Sequence, residues 1–368
     1  MATPYPRAES PSAELPEKPT SQRQSAEFNA AAHGLRGIAS LMVFWAHLLS
    51  GTAEHIYPQD AAYFAATRAP WHFGTYGVEL FFVISGFVIL PSVRRYTVRE
   101  FAIRRLLRLY PLFFVLSVLF VALNAMTNAY PKLNTLPAVL SGFTFLNLFN
   151  GTEQLTPNAW SLTYEVFFYV LLCLGYQELV RRFRPLAGGL VLAAFLTFWF
   201  LFPIVTFFVF GLLIRTVHDR GIRVPDHLAW PIEVVSAASC IWFASRSWFG
   251  YTHADLANPI VPAIMASTAI YFLVASQPGS LTARLFSGRW VIYLGTVSYS
   301  LYLVHPYTYF ACRSLFNHFG LFGSNIPLSV LGFFVVTTPV TLLATHYVHR
   351  FLEVGPYQWY FHQRIYRT

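Results

Sequence analysis

The stretch Gly77-Val78-Glu79-Leu80-Phe81-Phe82-Val83-Ile84-Ser85-Gly86-Phe87 sets the fold class. One carboxylate and one hydroxyl interrupt an otherwise apolar run, and the apolar character holds over 74–92. A bilayer crossing takes about 20 such residues in a helix. Working outward, nine more segments read the same way: 35–53, 111–128, 158–179, 187–202, 203–217, 229–248, 258–276, 290–312 and 326–348. The fifth and sixth are short and share a tight turn at Pro203, so a broken or tilted pair is expected there. The fold class is therefore all-α, a polytopic bundle of about ten transmembrane helices.

Composition agrees. Of 368 residues, 55% are hydrophobic and 11% charged, against about 25% charged in soluble domains. One or two soluble cores could not hide so much apolar surface. The formal charge of +9 comes from arginines clustered at the ends of apolar runs, in 94–108, 181–184, 215–223, 284–289 and 350–367. Ten spans with a cytoplasmic start place all five clusters on the cytoplasmic face, as basic loops prefer. That pattern argues for membrane topology and against nucleic acid as a partner. The apolar segment 136–149 would invert everything after it if it crossed; at 14 residues it reads as re-entrant or interfacial on the outer side.

The ends and the cysteines are plain. Residues 1–30 lack an apolar core of a signal peptide and read as a disordered cytoplasmic tail, and 351–368 as a cytoplasmic C-terminal tail. Cys173, Cys240 and Cys312 sit in apolar spans without paired spacing, which points to buried free thiols and to neither disulfides nor a metal site.

Ionisable groups inside a membrane are costly and tend to mark function. Arg36 and His47 are eleven residues apart. In a helix that returns to within about 20° of one face, with roughly 16 Å of rise between them. Histidine suits removal of a proton from an alcohol because it titrates near neutrality; a structural hydrogen bond to a neighbouring helix is the plainer alternative. Glu79 could hold a sugar, orient His47 or pair with a cation. Gly86 would let helices approach closely. Arg104, Arg105 and Arg108 could share one side of a helix and grip phosphates, or simply set topology and meet anionic lipid. Ser161 and Glu165 lie one turn apart; Ser298, Tyr302 and His305 form another stripe, followed by Pro306. His47, Glu79, Glu165 and His305 are together expected around one outer polar cavity.

These motifs resemble the acyltransferase-3 membrane family. The matching residues are Leu35-Arg36-Gly37-Ile38-Ala39 with His47, Gly77 to Phe87, Arg104-Arg105-Leu106-Leu107-Arg108 before Pro111, Trp160-Ser161-Leu162 with Glu165, Ser298 to His305, and Glu353 with Pro356. They fall in family order over 35–356. The resemblance implies an acyl-CoA donor arriving from the cytoplasm and a sugar acceptor on the far side of a bacterial inner membrane, both termini being cytoplasmic. It implies essential Arg36 and His47 and makes 31–350 a transmembrane acyltransferase domain without a fused hydrolase-like domain. Glu79 stands where Asp is commoner, and Thr163-Tyr164 where Ser-Val is usual, which touches acceptor shape more than reaction class.

The expected function is an O-acyltransferase moving an acyl group, acetyl in the first instance, from acyl-CoA to a hydroxyl of a surface or exported glycan. His47 is the general base, with Arg36, Glu79 and Glu165 in the catalytic set. Arg104, Arg105 and Arg108 bind the donor, and Trp160, Ser161, Tyr302 and His305 the acceptor. No permanently bound cofactor is expected, and the partners are acyl-CoA, the acceptor and membrane lipids. A macrolide-type acceptor, a glycan transporter using the same charges as a proton relay, and a non-catalytic membrane protein are the competing readings.

Overall fold

The computed structural model describes residues 29–365, with side chains through 361. The expectation for the tail 1–30 falls outside this range except for its last two residues. Among the described residues all regular structure is helical. Helix α1 spans Ala30–His55, α2 Ala61–Thr75, α3 Gly77–Arg95 and α4 Val98–Thr127. The short α5 (Leu136–Phe143) and α6 (Asn147–Asn150) precede α7 (Trp160–Gly175), α8 (Pro185–Leu201), α9 (Thr206–Asp219) and α10 (Asp226–Ala244). Helices α11 (Ile260–Ala275), α12 (Leu281–Leu285), α13 (Arg289–His318), α14 (Ile326–Val348) and α15 (Gly355–Ile365) complete the chain. Each of the ten apolar segments read from the sequence overlaps a helix, 74–92 beginning at the end of α2 and continuing through α3.

Length and hydropathy alone license fewer crossings. Four helical stretches pass, Ala61–Arg95, Val98–Thr127, Asp226–Ala244 and Ile326–Phe361, and five if the bent pair Pro185–Leu201 and Pro203–Asp219 counts as one. The 26-residue α1 and 30-residue α13 do not pass although they are long enough. They carry polar side chains on an inward stripe, which lowers their mean hydropathy. The bend of 111° at the α8–α9 junction follows from Pro203, and Trp199 Nε1 donates to Thr206 Oγ1 across it at 2.8 Å.

Segment 136–149 does not form a crossing helix. Helix α5 has 8 residues, about 12 Å of rise, far short of a hydrocarbon core of about 30 Å. Leu136, Leu140 and Phe149 are exposed along it, as on an interfacial segment. Likewise Leu328, Leu331, Val335 and Leu343 of α14 point outward while Thr337, Thr341 and Thr345 are buried, the inverse of a water-soluble helix.

Two close crossings set the architecture. Helix α3 lies on α9 so tightly that a Cβ on Gly211 would sit 1.9 Å from the Val83 carbonyl oxygen, and one on Gly86 2.0 Å from that of Phe208. Helix α1 lies on α13 with Gly37 against Gly295, a Cβ on Gly37 coming within 2.5 Å of the Gly295 nitrogen. Such small-residue contacts replace the hydrophobic force that lipid removes. Between them Phe168, Phe207, Phe208 and Phe272 are fully buried. Cys173, Cys240 and Cys312 are buried free thiols.

Candidate active site

Helix starts and ends place the polar groups. Asn29 caps α1, its Oδ1 accepting from the Ala32 amide at 2.9 Å while Nδ2 donates to the Ser276 carbonyl at 2.7 Å. Thr97 and Glu100 form a capping box that starts α4, Glu100 lying one turn before Arg104.

Two cavities share Arg36 as a wall. The wider, about 210 Å³, is lined by Asn29, His33, Ser92 and Arg215, where α1 begins and α3 and α9 end. The narrower, about 30 Å³, is lined by Phe81, Ser85, Ser161, Glu165, Tyr299 and Tyr302. The buried Arg36 Nε has no hydrogen-bond partner among the described residues.

In the narrow cavity Ser85 Oγ donates to Glu165 Oε1 at 2.9 Å, and the Tyr169 hydroxyl donates to the same oxygen. Ser161 Oγ and the Tyr302 hydroxyl lie 3.0 Å apart. Beyond Tyr302, ring contacts continue to His305, with centroids 6.1 Å apart, and from His305 to His47, 5.2 Å apart. The fully buried His305 has both nitrogens engaged: Nδ1 lies 3.1 Å from the Leu301 carbonyl and Nε2 2.8 Å from Asn158 Nδ2. A carbonyl only accepts, so Nδ1 carries the proton and Nε2 accepts from Asn158. Asn158 Nδ2 also donates to the Tyr302 carbonyl at 3.1 Å.

His47 is half-buried, and its Nδ1 lies 2.7 Å from the Val43 carbonyl. The same reasoning puts the proton on Nδ1 and leaves the Nε2 lone pair open among the described residues. A neutral imidazole with an open Nε2 can accept a proton from an alcohol.

Of the four residues expected around one outer polar cavity, Glu165 lines the narrow cavity with Arg36, whereas His47, Glu79 and His305 line neither of these two cavities. The reason is helix register: Glu165 faces Ser85 near the middle of α3, two turns deeper than Glu79. Glu79 is 9% exposed, with Oε2 unpartnered among the described residues and the Tyr251 hydroxyl facing the carboxylate. Trp160 packs edge-on against Phe82, with centroids 6.3 Å apart, beside the cavity wall.

Arg104 and Arg105 of α4 meet different surroundings, while Arg105 and Arg108 both lie near Arg36. Arg104 is stacked between Tyr96 (4.3 Å) and Phe361 (4.5 Å) and donates to the Tyr357 hydroxyl at 2.7 Å. Arg105 lies over Tyr169 at 5.1 Å and donates to Ser92 at 3.3 Å, on the wall of the wide cavity. Arg108 is within electrostatic range of Arg36 and Arg105. One residue of helix is about 100° of rotation, enough to send neighbouring guanidinium groups to different surroundings.

Against this geometry, the sequence model of the family described as an acyltransferase domain matches residues 29–346. The chain belongs to that acyltransferase family. A relative is "Exopolysaccharide production protein ExoZ" of Rhizobium meliloti (strain 1021), 27% identical over 264 residues, which is 66% of this chain and 80% of that protein. No solved structure matches. As an acyltransferase the protein is an enzyme that transfers acyl groups, built on membrane helices.

The site of this acyltransferase also contains residues that sequence reading passed over. Asn158 heads the Trp160-Ser161 motif, yet its partner His305 is 147 positions away. Ser85 and Tyr169 orient Glu165, and Ser92 and Arg215 line the wide cavity. The serine within the 77–87 motif was the available signal for Ser85, and Arg215 stood out only as the start of the basic cluster 215–223; nothing in the sequence marked Asn158, Tyr169 or Ser92.

Proposed function

We propose that the protein is a bacterial inner-membrane enzyme with ten crossings and cytoplasmic termini that transfers an acetyl group from acetyl-CoA to a glycan hydroxyl. The observation that carries this reading is His47 with its proton fixed on Nδ1 by Val43 and its Nε2 open. It stands at the far end of a line of polar contacts beginning at Arg36 and the wide cavity.

In this reading the donor's phosphates stay at the basic end with Arg105 and Arg108, and the pantetheine arm passes Arg36. The thioester passes Tyr302 and Ser161 to reach His47. His47 Nε2 takes the proton of the acceptor hydroxyl as the oxygen attacks the thioester carbonyl. The carbon–sulfur bond then breaks, and the proton leaves with the coenzyme A thiol. Asn158 holds His305 as a neutral wall behind the base. Arg104, clamped by aromatics, ties α4 to the C-terminal segment. The printed name of the relative supports an exopolysaccharide as the acceptor class.

The test is thiol release from acetyl-CoA by the purified protein with and without an exopolysaccharide fragment. Release that depends on the acceptor, with label from the acetyl group appearing on the sugar, is expected. Transport of glycan without consumption of acetyl-CoA would replace this function with that of an exporter.

A further inference from the structure

The wide cavity of about 210 Å³ lies between α1, α3 and α9, and among the described residues no carboxylate lines it. That space is many times what a single ordered water needs. Arg215 is its basic residue from α9 and is held from two directions. Nε donates to Asp219 Oδ1 at 2.8 Å, and the guanidinium lies over Phe87 at 5.4 Å. Asp219 is in turn fixed by an ion pair with Arg94. The η nitrogens of Arg215 carry no hydrogen bond among the described residues.

Arg36 lines the same space, and Arg105 stands behind its wall. Arg105 reaches the wall through Ser92, and Arg36 forms the inner wall with its buried Nε unpartnered. Two arginines on the wall and a third behind it, from three helices, with no carboxylate on that wall among the described residues, make a site for a multiply charged anion. A diphosphate, with more oxygens and more charge than a single carboxylate, suits more than one guanidinium.

The geometry points to this cavity as the seat of a diphosphate-bearing ligand, with Arg215 a phosphate-binding residue. The ligand class is a nucleotide thioester that enters from the basic end, so the inference deepens the acyl-CoA reading and rests on it. Asp219 and Phe87 are positioning residues: they pre-orient Arg215 so that little freedom is lost when the phosphate arrives. The diphosphate of the donor would then stay in the wide cavity while its slender arm runs past Arg36 into the narrow one.

The experiment measures binding of coenzyme A, and separately of pantetheine, to the full chain in phosphatidylcholine nanodiscs. Arg215→Gln is expected to weaken coenzyme A binding about tenfold, the effect of one charge-assisted contact, and to leave pantetheine binding unchanged. Arg215→Lys should fall between. Arg220→Gln, an exposed change of the same charge just past the end of the same helix, should bind as wild type, and unchanged melting temperatures exclude misfolding. Equal coenzyme A binding by Arg215→Gln and wild type overturns the inference, as does equal weakening for pantetheine. A defect that appears only in nanodiscs containing phosphatidylglycerol assigns the cavity to a lipid headgroup and overturns it too. Wild-type protein that binds coenzyme A through Arg215 but never acetylates a glycan overturns the proposed function alone.

Discussion

His47 and His305 face each other with ring centroids 5.2 Å apart and planes inclined by 49°. Only one of them has a nitrogen to spare. His305 is closed by Leu301 and Asn158, while His47 is tied at Nδ1 alone. With His305 closed at both nitrogens, His47 Nε2 is the nitrogen of the pair placed to take a proton.

Asn158→Ala removes the donor to His305 and leaves a buried ring nitrogen without a partner. The expected cost is about 1–3 kcal/mol of stability, read as a lower melting temperature in detergent. Transfer should slow about tenfold or more as the wall behind His47 loosens. A variant with wild-type melting and rate would show that the contact supports neither histidine.

Arg104 and Arg105 separate two roles that neighbouring positions usually confuse. Arg104 is enclosed by Tyr96, Phe361 and Tyr357, so Arg104→Gln should lower the melting temperature and hardly change the KM for acetyl-CoA. Arg105→Gln should raise that KM about tenfold. Steady-state kinetics with a melting curve for each variant distinguishes them, and the opposite assignment of effects would move the phosphate contact to Arg104.

Helix contact at Gly211 leaves no room for a side chain, since a Cβ would meet the Val83 carbonyl at 1.9 Å. Gly211→Val should abolish recovery of monodisperse protein. Gly189→Ala on α8 meets nothing within 4 Å and should stabilise by up to about 1 kcal/mol through the lower entropy cost of ordering alanine in a helix. Size-exclusion profiles and melting curves check both.

What the sequence could convey follows from the range of the forces involved. Helix positions were readable because bilayer length and apolar runs are local properties; all ten segments overlap helices, and the break at Pro203 lies where the ring forbids a straight helix. The stripe from Arg36 to His47 was readable from helical period alone. Depth across helices was not. Glu79 and Glu165 both looked like outer carboxylates, but only the packing of α7 on α3 reveals that Glu165 meets Ser85 and shares a cavity with Arg36. Arg104 meets Tyr357 over 253 positions of chain, and no local pattern forecasts such a contact. The helices with the most polar stripes, α1 and α13, were also the ones whose hydropathy is diluted, because the side chains that make the site are those that lipid would reject.

The most direct measurement compares His47→Ala with wild type for acetyl transfer from acetyl-CoA to an exopolysaccharide fragment, coenzyme A affinity being determined on the same preparations. With His47 as the base, the rate falls by about 10²-fold or more while coenzyme A affinity stays as in wild type. Transfer at the wild-type rate by a folded His47→Ala protein would contradict the assignment and place the base elsewhere.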